Sequence, residues 1–206
     1  MKLTAPQADR LTRAVETAES KTSIELVLTL VPRSRRYLAA PVVAGIATGL
    51  VALGLALFLE EPEVDAAFVI PLTGAFGLLA FLGVGLLPVR WLARAVDRRS
   101  AVDTQAHAAF SRQGLYRTSG RTGLLVFLSL AEREARLLAD RGVVAAVPED
   151  VRSEWQARLT ELAGQFDVEA LARTLEAMGE RAGGHLPRLE GDVDELPNAP
   201  VEGQAQ

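Results

Sequence analysis

The 206-residue chain reads as an α/β fold in which a small sheet flanked by helices is interrupted by a two-helix transmembrane hairpin. Three observations predict it. Residues 38–59 and 66–89 are apolar runs without one Asp, Glu, Lys, Arg or His, separated by an acidic link at residues 60–65. Residues 23–31 and 124–130 are short apolar runs of the kind that form strands covered on both faces. The remaining segments carry apolar residues at helical spacing.

The hairpin runs come first in the argument. As helices rising ~1.5 Å per residue they are about 33 and 36 Å long, against a hydrocarbon core of about 30 Å. One charge at a helix centre opposes insertion by on the order of 2.5–3.5 kcal/mol, so their absence from both runs is informative. A buried helical hairpin in a soluble protein is the alternative, and the lengths and flanks count against it. Arg33, Arg35 and Arg36 precede the first run, Arg90, Arg94, Arg98 and Arg99 follow the second, and the link carries only acids. By the positive-inside rule both termini are cytoplasmic, which describes a multi-pass protein of the inner membrane. Arg36, Tyr37, Arg90, Trp91 and Arg94 fall at headgroup level, with the lipid bilayer as first partner. No ionisable group lies in either run to bind or relay an ion, which counts against a channel or transporter. Gly45 and Gly49 form a small-xxx-small pair suited to packing within the hairpin or to a homodimer, and Gly74, Gly77, Ala80 and Gly83 offer a facing surface.

In chain order, Thr4 caps a helix over residues 5–21 with Leu11, Val15 and Ala18 on one face. The strand at 23–31 has no partner before the membrane. After the hairpin a helix over residues 90–113 presents Val96, Val102, Ala106 and Phe110, with Gly114 as its C-cap. A polar loop leads to the strand at 124–130, and a turn at 131–133 to a third strand at 134–139, ended by a turn at Asp140-Arg141-Gly142. Pro148, Glu149 and Asp150 start a helix striped with Trp155, Leu159, Leu162 and Phe166. Asp167 caps the last helix, with Leu171, Leu175 and Met178, and Gly183-Gly184 stops it. The acidic, Pro-containing tail at 187–206 is expected to be irregular.

Because the hairpin returns the chain to one side, the strands at 23–31 and 124–130 can pair in parallel, joined by the helix at 90–113 as crossover. Residues 1–37 and 90–186 then form one split domain around the hairpin at 38–89.

The chemistry offered is narrow. The chain has no cysteine, which excludes disulfides, thiolate metal sites and thiol nucleophiles. His107 and His185 are its only imidazoles, and neither stands in a recognisable constellation. With 22 basic and 26 acidic residues and no basic, aromatic face, nucleic acid is not an expected partner. Residues 1–7 lack the apolar core of a cleavable signal peptide, so insertion is expected to begin at the hairpin. Arg117, Thr118, Arg121 and Thr122 make a loop whose guanidinium and backbone donors suit an anion, but it lacks the P-loop pattern and its lysine, and a structural or membrane-facing loop is the favoured alternative. Asp140 and Asp150, at strand and helix termini, are candidate oxygen ligands for a hard cation, with surface turn and capping roles the favoured alternative. Glu25, a carboxylate in an apolar strand, needs a partner, and Arg117 or Arg121 is expected to supply it.

Residues 18–27, with Glu19-Ser20-Lys21-Thr22-Ser23-Ile24-Glu25, resemble the first helix and strand of the TPM domain, a family of thylakoid-lumen and bacterial proteins once described as phosphatases. Residues 110–118 and 121–133, with Arg121-Thr122-Gly123 opening the apolar run, resemble its second half. Leu186-Pro187 and Asp194-Glu195-Leu196-Pro197-Asn198 are similar to its membrane-hairpin branch. The resemblance implies a mixed sheet in an α/β sandwich. It also implies weak phosphatase activity, divalent cation (calcium or magnesium) binding, or assembly and repair of membrane complexes. Where the metal-binding branch places an acidic or amide residue before the glycine that opens the second strand, this chain has Thr122, and Pro148 stands near the following helix start. The function expected is a membrane-anchored, TPM-like, non-enzymatic binding or assembly module for membrane proteins, with a membrane-protein partner and no cofactor. The alternative is a metal-dependent phosphatase of low activity.

Overall fold

A computed structural model of the chain describes residues 3–35, 37–58, 66–88, 94–189 and 195–203. The chain divides into two compact units, residues 1–35 with 98–206, and residues 36–97.

The first unit is built on a mixed four-stranded sheet. Its strands are β1 (Glu25–Val31), β2 (Gly123–Ser129), β3 (Glu134–Ala139) and β4 (Val201–Glu202), in spatial order β3-β2-β1-β4. β1 and β2 run parallel in register from Glu25 opposite Gly123 to Val31 opposite Ser129, while β2 and β3 are antiparallel. All seven residues of both β1 and β2 are buried, as two-sided apolar runs require. Their alternation feeds two cores. Leu26, Leu28, Leu30, Leu124, Val126 and Leu128 join the larger, and Val27, Val31, Leu125 and Phe127 the smaller.

The larger core is covered by α1 (Ala5–Glu19) and, after a short α5 (Arg141–Ala146), by α6 (Glu149–Gly164) and α7 (Val168–Gly183); the smaller is covered by α4 (Ala95–Arg112). α1 supplies Leu11, Ala14, Val15 and Ala18 at i, i+3, i+4 and i+7, one helical face. The backbone N–H of its cap Thr4 donates to Gln7 Oε1 at 2.9 Å. The predicted stripe on α6 buries Trp155, Leu159 and Leu162, with Phe166 half-buried just beyond the helix. Asp167 caps α7, its carboxylate accepting from the N–H of Glu169 and Ala170. α1 and α7 approach closely: a Cβ on Gly179 would lie 2.3 Å from Ala18 Cα. Arg10 clasps the same pair, with Nε 2.9 Å from Glu169 and Nη1 2.8 Å from Glu176. Hydrogen bonding to Arg10 holds the Glu169 carboxyl below its ordinary pKa, and the two acids raise that of Arg10.

In the second unit, α2 (Ala39–Phe58) and α3 (Ala66–Gly85) are 20 residues each, about 30 Å at ~1.5 Å per residue. Both are long and apolar enough to cross a membrane, and almost none of their residues are buried within the protein. That exposure is the opposite of what a core hairpin of a soluble protein would show, and it supports membrane association. Gly45 and Gly77 face each other: a Cβ on Gly45 would come within 3.0 Å of the Gly77 carbonyl oxygen, and one on Gly77 within 2.9 Å of that of Gly45. Gly49 lies against Thr73 and Gly77, so the Gly45/Gly49 face packs within the hairpin. Of the expected facing surface on α3, Gly77 takes part while Gly74 and Gly83 have open space beside them. The reason is rotational: at about 100° per residue, steps of three drift by roughly 60°, so Gly74 and Gly83 point to opposite sides. Pro71 sits inside α3 without ending it.

Two readings of the sequence need correction. The segment after β3 is the helix α5, capped by Asp140, whose Oδ1 accepts from Arg141 N–H at 2.7 Å. The tail is not irregular throughout, because Val201 and Glu202 pair in parallel with Thr29 and Leu30 of β1. The helix expected over 90–113 is described from Ala95, and residues 90–93 lie outside the described residues.

Candidate functional site

The α4–β2 connection gathers the predicted anion-binding residues in one loop. Gly114, with φ of 71°, turns the chain out of α4, and the 3₁₀ turn Leu115–Arg117 buries Leu115 in the smaller core. Thr118 Oγ1 donates to the Leu115 carbonyl and accepts the Thr122 N–H at 3.0 Å. The Thr122 carbonyl in turn accepts the Glu25 N–H, which joins the loop to the sheet.

The arginines are committed locally. Arg117 lies over the Tyr116 ring, 5.4 Å from its centre, and its Nε donates to the phenol oxygen. Arg121 has φ of 53°, and its Nη1 donates to the Tyr116 carbonyl at 2.7 Å. Its Nε stands 3.0 Å from Asp140 Oδ2, an ion pair without hydrogen-bond alignment. Gly142 in the first turn of α5 lets this loop close in, since a Cβ there would lie 2.5 Å from the Gly120 carbonyl oxygen. Arg117, Thr118 and Arg121 therefore each direct at least one side-chain polar group at their own chain, and Thr122 does so through its backbone.

The loop does hold an anion, and that anion is the chain's own. Ser119 donates its backbone N–H and its hydroxyl to the carboxylate of Glu195 in the tail, the hydroxyl at 2.5 Å. The next link runs to the sheet, where Glu195 and Leu196 donate their N–H groups to Glu25 Oε2 at 3.1 and 3.3 Å. The expectation that Arg117 or Arg121 pairs with Glu25 is thus corrected: backbone donors from the tail take that place, while Arg121 is drawn to the buried Asp140. Leu196 packs into the smaller core, and Gly203 N–H donates to the Leu30 carbonyl, so residues 195–203 strap the outer edge of β1. A cavity of about 300 Å³ remains beside the strap, lined by Arg112, Gln113, Arg117, Thr118 and Glu195. A phosphate entering it would meet the Glu195 carboxylate as well as the two arginines.

The implied divalent cation does not fit the residues present. Asp140 uses one oxygen as the α5 cap and turns the other to Arg121, and Asp150 is exposed in the first turn of α6. Among the described residues no three His, Asp or Glu side chains group as metal ligands, whereas calcium takes about 6–8 oxygens. His107 is exposed, its Nδ1 2.9 Å from the Asp103 carbonyl oxygen, and His185 is exposed as well.

Of the residues assigned to headgroup level, Tyr37 is half-buried and Arg94 exposed, while Arg36, Arg90 and Trp91 lie outside the described residues. Sequence reasoning missed a polar anchor at the end of β1 and β2. Glu132, 2% exposed, accepts the Ser34 N–H and the Ser129 hydroxyl, and the Ser34 hydroxyl donates to Ser129 Oγ. Nothing in the local pattern of Ala131-Glu132-Arg133 marks its glutamate as buried.

No protein-family model matches this chain, and no curated protein matches it. Among solved structures the chain is similar to the NMR structure of BA42 protein from the psychrophilic bacterium Bizionia argentinensis, at 17% identity and a TM-score of 0.59, over 98% of this chain and 97% of that one. At that identity the likeness is one of fold.

Proposed function

We propose that this protein is a TPM-like module, held in the inner membrane by the hairpin at residues 38–89 with both termini cytoplasmic, that binds or helps assemble another membrane protein without catalysing a reaction. The observation that carries the reading is the state of the loop at 117–122. Arg121, the Arg117 Nε and the hydroxyls of Thr118 and Ser119 are engaged by Asp140, Tyr116, Leu115 and Glu195 of the same chain. A phosphoryl-transfer site needs such donors free to meet charge that develops in the transition state. The order of the TPM-like segments around the hairpin, the likeness of fold and the two exposed apolar helices support the family and the anchoring.

The test is crosslinking in native membranes followed by purification of the full chain. A membrane protein recovered reproducibly is the expected result, and recovery of none counts against the proposal. Metal-dependent hydrolysis of a phosphomonoester by the purified chain, lost in Arg121→Ala or Asp140→Ala, would overturn the non-enzymatic reading. Orientation has its own measurement. In this cysteine-free chain, Glu63→Cys should react with an impermeant thiol reagent from outside and Ser111→Cys should not.

A further inference from the structure

Beyond the last paired residues of β1 and β2 the two chains continue side by side. Leu130 and Ala131 donate their N–H groups to the carbonyls of Val31 and Pro32, and the Glu132 carboxylate then receives the Ser34 N–H. Arg133, with φ of 55°, reverses the chain into β3 at that point. The left-handed backbone is unfavourable for a side chain of this kind, and the Glu132 anchor holds it there. The tip of the β2–β3 turn is thereby fastened beside residues 33–35. The turn carrying exposed Arg133 thus adjoins the segment that carries exposed Arg35 and half-buried Arg33. None of these three guanidinium groups has a hydrogen-bond or ion-pair partner among the described residues.

The acids close by offset them only in part, because Glu132 stands against three arginines and Glu134 is already matched by Arg99. Glu132 is buried on hydroxyl and N–H donors, and Glu134 is paired with Arg99 and approached by Arg136. Among the described residues the end of the sheet is therefore a net cationic surface. Ser34 is five residues before Ala39, the first residue of α2, so chain reach alone keeps it within about 18 Å of the start of that apolar helix.

Resting on the membrane-anchored reading above, we infer that Arg33, Arg35 and Arg133 bind the phosphate headgroups of anionic lipids in the leaflet that the hairpin enters. The charge is of the right sign, the hairpin brings it to the surface, and a basic residue close to an anionic surface strengthens association by about fivefold. The turn at Arg133 adds a contact that positive flanks alone do not predict, since it comes from a segment remote in sequence.

The experiment uses the full chain reconstituted in vesicles of phosphatidylcholine with a minority of phosphatidylglycerol. Electron paramagnetic resonance of spin-labelled lipids gives the protein's preference for phosphatidylglycerol over phosphatidylcholine. The triple variant Arg33→Gln, Arg35→Gln, Arg133→Gln should lose that preference by at least about fivefold. The corresponding triple lysine variant should keep it, and added salt should lower the wild type toward the glutamine variant. Flotation of each sample separates the two readings. A glutamine variant that floats with its vesicles and keeps the wild-type preference overturns the lipid surface alone. Wild-type protein that fails to float overturns the anchor and this surface with it.

Discussion

Gly179→Ala places two known effects in opposition. In a helix interior, alanine is favoured over glycine by about 0.8–1 kcal/mol, so α7 taken by itself would gain from the change. Against this, the added Cβ would lie 2.3 Å from Ala18 Cα, 2.6 Å from Ala18 Cβ and 2.6 Å from the Ala18 carbonyl oxygen. Carbon atoms pack at about 3.5–4.0 Å, so α1 must withdraw by more than about 1 Å. Two of the three obstructing atoms are backbone, which no rotamer change relieves. Overpacking of this kind destabilises by about 1–3 kcal/mol, and the fixed backbone places it near the upper end. The balance is a net loss of about 2 kcal/mol, or roughly 4–8 °C in Tm for a domain of this size. Trp155, buried beneath the same core, reports the transition by fluorescence during urea unfolding of the full chain in detergent. Gly164→Ala is the control, because a Cβ there meets nothing within 4 Å and only the propensity acts. The control should be neutral or stabilised. If Gly179→Ala is as stable as the wild type, the close crossing of α1 and α7 is wrong.

Other outcomes follow from the same geometry. Gly77→Val should separate α2 from α3, whereas Gly83→Val should not, as read by distances between spin labels placed on the two helices. Ending the chain after residue 194 removes both N–H donors to Glu25 Oε2. Losing two hydrogen bonds to this carboxylate destabilises by about 1–3 kcal/mol, and the opened β1 edge invites association, so unfolding midpoint and light-scattering mass should both change. Glu169 has its pKa lowered by hydrogen bonding to Arg10, so its contribution is complete above the ordinary value of 4.5 and is lost as pH falls through the lower, folded-state value. In Arg10→Gln the decline in unfolding midpoint below pH 4.5 should be shallower than in the wild type; parallel declines would show that the clasp does not couple to folding.

The sequence by itself determined the features that repeat or terminate locally. The apolar runs of the hairpin, the strands at Glu25–Val31, Gly123–Ser129 and Glu134–Ala139, and the Asp167 cap were all legible. Each is written in a window of a few residues, by hydrophobic period or by a capping side chain next to the N–H groups it accepts. The pairing of β1 with β2 was legible too, since two strands covered on both faces had to find one another. Only the tertiary structure decided how the charges are shared. Glu195 meets Ser119 across 76 positions and Glu25 across 170, and Glu132 meets Ser34 across 98. A carboxylate carries no local mark of whether its partner is a guanidinium, a hydroxyl or a backbone N–H. That choice depends on which donors the fold brings within hydrogen-bond reach, and here packing turned Arg121 toward Asp140, drew the tail over the edge of β1, and left Arg33, Arg35 and Arg133 without a partner among the described residues.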